Sequence, residues 1–69
     1  MTRAEIIRAL VEHPIGLSID GSTQTDLTPA LAERLVHDPR PLRVMDVTIL
    51  PQWLREQLGP DGTIPEVPA

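Results

Sequence analysis

His13 and His37 are the chain's two imidazoles, and neither stands in a pattern that chemistry requires. A histidine pair that grips a metal sits one helical turn apart, as in HExxH; these two lie in different parts of the chain. His37 is followed by Asp38, but neighbours on a helix end point in different directions. His37 reads more simply as a C-terminal helix residue facing the dipole. Ser18 and Ser22 have no neighbouring base to activate a hydroxyl nucleophile. Asp20, Asp26, Asp38 and Asp46 are spread over turns and a strand, where carboxylates serve as turn formers and surface charge. Gly16, Gly21, Gly59 and Gly62 do not gather into a phosphate-cradling loop. The chain has no cysteine, so thiolate metal sites and disulfides are excluded. No catalytic or metal-binding constellation emerges and no cofactor is implied. A chain of 69 residues also leaves little room for a deep cleft. The expectation is a protein that is not an enzyme.

Nucleic acid is the next candidate. Arg40 and Arg43 flank "PL" and could meet a pair of phosphates, yet Asp38 and Asp46 flank them in turn. Acidic residues outnumber basic ones ten to six, against the basic stripe that a phosphate backbone demands. Without Phe or Tyr there is no aromatic platform for single strands. A dimeric DNA-associated regulator of the antitoxin kind stays as the alternative. All six basic residues are arginine, and Lys, Asn, Phe and Tyr are absent. Those four have AT-rich codons, so a GC-rich bacterial or phage gene is expected. No apolar run approaches a membrane span of ~20 residues, and the start lacks a signal peptide's apolar stretch. A cytoplasmic protein is expected.

The elements that would position any functional side chain come next. "TRAE" opens a helix with a capping box, Thr2 and Glu5 serving each other's backbone. Ile6, Ile7, Leu10 and Val11 give it one apolar face, and Pro14 ends it. Ile15, Leu17 and Ile19 alternate as a half-buried strand, and Asp20-Gly21 is a hairpin turn signal. "STQTD" is wholly polar, a solvated edge strand or, with slight preference, a loop. Thr28 then caps a second helix with Pro29 in its first turn and Leu31, Ala32, Leu35 and Val36 on its apolar face. "LRVMDVTIL", residues 42–50, is the longest strand candidate, although its alternation slips near Asp46.

A third helix begins at Pro51 and ends at Gly59-Pro60, with Leu50, Leu54 and Leu58 four apart on one face. Trp53, the only aromatic residue, lies beside that stripe next to Gln57. Two readings compete: a ring buried at the core edge, which is favoured, or an anchor for a partner. The fold expected is a small α/β domain, or α+β, over residues 1–59. Its order is helix–strand–helix–strand–helix around a two- or three-stranded sheet, the two main strands parallel through a helical crossover or antiparallel. Residues 60–69, with three prolines, are expected to form an extended or disordered tail.

"IIRALVEHPIGLSIDG" followed by "LTPALAERL" resembles the opening of TubC-type docking domains, which join subunits of nonribosomal peptide and polyketide synthases. The shared elements are a helix, a strand-turn with Gly16, Leu17, Asp20 and Gly21, and a helix start at Leu27 to Leu31. The likeness covers roughly residues 6–36. It departs where the family continues with an apolar second hairpin strand, because "STQTD" is polar, and again at "VMDVTILPQW". What the resemblance implies is docking between proteins. The function expected is a small protein–protein interaction module: an accessory subunit, an inhibitor or a docking piece. The partner surface is placed on Trp53, Gln57 and Arg55, with Ile64 and Val67 of the tail folding over it. Val47 lies on the 42–50 strand, which would pair with its copy in a homodimer.

Overall fold

A computed structural model describes residues 1–65, which form an α+β fold of three α-helices and one three-stranded antiparallel sheet. Helix α1 (Arg3–Leu10) begins as its sequence dictates. The Thr2 hydroxyl accepts from the Glu5 N–H at 3.2 Å, and Glu5 accepts from the Thr2 N–H at 2.8 Å. Both satisfy amides that the first turn leaves without a partner. Ile6, Ile7 and Leu10 are buried on its inner face. Strand β1 (Gly16–Ile19) follows Pro14, with Leu17 and Ile19 buried and Ile15 packed just before it.

Residues 22–26 are not a loop. Thr23–Asp26 forms strand β2, paired antiparallel with β1 in the register Leu17 to Thr25 and Ile19 to Thr23. The turn between them has left-handed torsions at Asp20 (φ 56°) and Gly21 (φ 75°), closed by the Ser22 N–H on the Ile19 carbonyl. Torsions of that sign match the twist of the flanking strands. The turn therefore sets the pairing, whatever the polarity of β2.

Helix α2 (Pro29–Leu35) starts where Thr28 accepts from the Leu31 N–H at 3.2 Å, and it buries Ala32 and Leu35. Strand β3 (Leu42–Val44) lies on the other side of β1, so the sheet order is β2-β1-β3. Both neighbours run antiparallel to β1. The expected crossover exists, but it starts from β2: α2 carries the chain over β1 between two strands that point the same way. The hairpin reverses the chain before the helix begins, which makes the antiparallel alternative the observed one for β1 and β3.

The 42–50 strand is corrected. It stops at Val44, because the Asp46 carboxylate turns back onto the Thr48 N–H (3.0 Å) and hydroxyl (2.6 Å). That side-chain capture starts a short 3₁₀ turn, Val47–Ile49. The slip in alternation near Asp46 marks a change of element rather than a bulge. Helix α3 is short, Gln52–Arg55, with Pro51 as its cap residue and Leu54 wholly buried.

The first part of the expected tail belongs to the fold. After a second 3₁₀ turn (Pro60–Gly62), Thr63 bridges Arg43, and the Ile64 N–H donates to the Leu42 carbonyl at 2.9 Å. Ile64 is 1 % exposed and sits in the core with Leu42, Val44, Leu50 and Leu54. An isoleucine side chain gains about 2 kcal/mol from such burial, enough to hold a proline-flanked segment in place. Gly62 makes the approach feasible. Its φ is +80°, and a β-carbon there would stand 2.8 Å from the Val44 carbonyl oxygen.

Candidate partner-binding surface

Helix α3 is pinned from beneath and open above. Leu50 and Leu54 lie in the core, whereas Trp53 between them is 53 % exposed. The favoured expectation of a ring buried at the core edge is therefore corrected. The leucine stripe does place Trp53 off the buried face, and so short a helix leaves nothing to fold back over the indole. Ile49 (45 %) and Met45 (43 %) are exposed too. Apart from Met1, every exposed large apolar side chain among the described residues comes from the segment 45–53. This is the stretch in which β3 ends early and the chain turns twice.

The other expected surface residues divide. Arg55 is exposed and Gln57 half-buried. Its N–H donates to the Leu54 carbonyl, so both continue the surface of α3. Val47 is half-buried and faces the hook at Gly62, where a β-carbon would meet its Cγ1 at 3.0 Å. Ile64 is a core residue, so it is taken off the partner surface. Val67 lies outside the described residues. What sequence reasoning missed here is the exposure of Met45 and Ile49. The alternation of 42–50 places both on a strand, and the signal against it is "DVT", an aspartate placed to capture a threonine two residues on.

The sheet offers a second surface. The Leu27 N–H donates to the Ile15 carbonyl. Alternation then gives β1 its odd-numbered backbone groups towards β2 and leaves those of Gln24 and Asp26 facing outward. The far side of β3 is taken by residues 63–64. Among the described residues, β2 is the free edge. It carries no lysine, proline or bulge of the kind that usually blocks such an edge. Pairing between two chains through the sheet has this edge to use rather than residues 42–50.

The groups weighed for chemistry stay apart. Among the described residues no three of His, Asp and Glu converge to hold a metal ion. Ser18 is buried on the outer sheet face between Gln24 and Arg43. Arg40, weighed with Arg43 as a phosphate pair, is bound to Asp38: its guanidinium donates at 2.6 to 3.0 Å. This bond, with the Arg40 N–H on the same carboxylate, pulls the Asp38 pKa down to about 2. Arg40 therefore brings little free charge to a phosphate. Arg8 and Glu33 tie α1 to α2 across the surface, lowering the glutamate's pKa through the same kind of bond.

No protein-family model matches this sequence, and no curated protein or solved structure matches it. Among the described residues no helix is long and apolar enough to cross a membrane.

Arg3 is the residue whose importance sequence reasoning passed over. It stands in the first turn of α1, is buried, and donates through Nη2 to the carbonyls of Asp38 (2.7 Å) and Arg40 (2.9 Å). These bonds fix the loop between α2 and β3. An arginine early in a helix reads as solvated, and the sequence carries no sign of the distant carbonyls it meets.

Proposed function

We propose that this chain is a small protein-binding module without catalytic activity, and that Trp53 anchors its partner. The observation that carries the reading is the indole standing half in water on a helix held from below by Leu50 and Leu54. Tryptophan is enriched among residues that dominate binding energy, because it removes a large rigid apolar area from water at little entropic cost. Ile49, four residues before Trp53, is exposed as well, and Arg55 supplies a polar margin. This segment is also where the sequence departs from the TubC resemblance.

The test uses Trp53 as its own probe, since the chain has no other tryptophan. A protein captured from the native host by the wild-type chain, then purified, should shift Trp53 emission to the blue on binding. Trp53→Ala should lose that capture and keep the parent's far-ultraviolet circular dichroism. Capture unchanged by Trp53→Ala, with fixed emission in the parent, refutes the anchor.

A second reading has one observation in its favour. Residues 23–26 form the second hairpin strand that the docking-domain resemblance calls for, with its outer edge free. On that reading an extended segment of a synthase subunit adds to β2. Gln24→Pro removes an N–H that faces away from β1, so it should abolish such docking while preserving the hairpin.

A further inference from the structure

Among the described residues, two that are not glycine hold left-handed torsions, Asp20 (φ 56°) and Asp61 (φ 58°). Each is followed by a glycine at positive φ, Gly21 at 75° and Gly62 at 80°. The two Asp-Gly steps share sequence and backbone shape, and both aspartates are exposed. They differ in what holds the glycine.

Gly62 is buried, and its N–H donates to the Gly59 carbonyl at 3.2 Å. A β-carbon there would stand 2.8 Å from the Val44 carbonyl oxygen, so the backbone at Gly62 has little room to shift. Thr63 ties the same turn again, its N–H (3.2 Å) and its hydroxyl (2.8 Å) both donating to the Pro60 carbonyl. Gly21 is exposed, and beyond its chain neighbours nothing lies within 4 Å of where its β-carbon would be. Its N–H has no acceptor among the described residues. The Ser22 N–H on the Ile19 carbonyl, at 3.2 Å, closes that turn.

We propose that Asp20-Gly21 is a site of spontaneous isoaspartate formation, and that the fold protects Asp61-Gly62 from the same reaction. The nucleophile is the backbone nitrogen of the glycine. It attacks the carbon of the protonated Asp20 carboxyl and closes a five-membered succinimide. The N–H proton and the carboxyl hydroxyl leave together as water. A second water then opens the ring. Attack at the side-chain carbonyl restores aspartate, whereas attack at the main-chain carbonyl breaks the old peptide bond and leaves the chain running through the β-carbon. Water is the only co-reactant, and the mass of the chain is unchanged. Glycine suits the step because it has no β-carbon to obstruct its nitrogen. Gly62 must first break its bond to Gly59 and leave its place against Val44, and Gly21 has no such bond to break. The product adds one atom to the main chain between Ile19 and Ser22, so the turn that sets the β1–β2 register is lost. The inference holds whichever surface binds the partner.

The test keeps the full chain folded in a mildly acidic buffer, with a second sample in concentrated urea, where both glycine amides are free. Peptide mapping with electron-transfer fragmentation locates isoaspartate. Both samples are read when the urea sample has converted a measurable share of each site. In the folded chain, position 20 should exceed position 61 by about fivefold or more, the effect of one hydrogen bond that must open. In urea the ratio should fall towards one. Asp20→Glu, which would need a six-membered ring, should remove the signal at 20 and leave that at 61 unchanged. Conversion at 61 equal to or above that at 20 in the folded chain, none at 20 when the urea sample shows it, or a ratio as high in urea, overturns the proposal.

Discussion

Replacing Ile64 by alanine asks whether the segment after α3 completes the core. Ile64 is buried against Leu42 and Leu54, and its N–H closes onto the Leu42 carbonyl. Alanine keeps that hydrogen bond and removes three carbons, a transfer loss of about 2.4 kcal/mol. The cavity left behind raises the cost to about 3–4 kcal/mol. A core of this size yields only ~3–5 kcal/mol in total, so Ile64→Ala should be largely unfolded near body temperature. Ile64→Val is the measurable step, at about 1 kcal/mol, which lowers Tm by roughly 4–8 °C in so small a domain. Thermal unfolding followed by far-ultraviolet circular dichroism reads both. Ile49→Ala is the matched control, the same chemical change at a side chain nearly half in water, and should cost well under half as much. If Ile64→Ala melts with the parent, or Ile49→Ala melts lower than Ile64→Ala, the segment does not sit in the core and the fold ends at α3.

Three further outcomes follow from the same geometry. Gly62→Ala combines a positive φ with a clash on the Val44 carbonyl, so it should cost about 2 kcal/mol or more. Gly21→Ala, also at positive φ but in open space, should cost only about 1 kcal/mol; equal losses in chemical denaturation would refute the close approach. Arg3→Met removes two charge-assisted bonds to the 38–40 loop, at about 2–4 kcal/mol, and a melting temperature equal to the parent's would show that the loop stands without them. The Asp38 carboxyl, held at about 2 by its bonds to Arg40, lies below its unfolded value. Its contribution is thus complete above about pH 4 and disappears as pH falls through about 2. Carboxyl carbon shifts should show Asp38 keeping its charge well below the ordinary aspartate range as pH falls, and Arg40→Gln should raise its midpoint towards that range.

Much of the fold is legible in the sequence because its signals are local. Thr2, Glu5 and Thr28 announce helix starts through bonds they make within three residues, and those bonds are present. Asp20-Gly21 announces a turn, and the turn is made. What escapes is set by distant partners or by context. Strand β2 has no apolar residue to reveal it, because a three-stranded sheet this small gives an edge strand little to cover. Ile64 lies among prolines that suggest an extended tail, and its place in the core depends on Leu42 and on a glycine that lets the chain come close. Arg3 depends on carbonyls more than thirty residues away. At the partner surface Trp53 stands out as the only aromatic residue and as a type favoured at interfaces, whereas its exposure depends on how short α3 is.

The covered side of β3 also limits how these molecules can associate. A sheet with two bare margins can take on a new strand at each, and copies can then stack without end, as they do in fibrils. Among the described residues, 63–64 close one margin and leave β2 open. Each molecule therefore has a valence of one for strand pairing. Two copies joined edge to edge saturate each other, and a partner's strand on β2 saturates the single molecule. The edge that remains is only four residues long and ends in Asp26, so strand addition there is short as well as terminal.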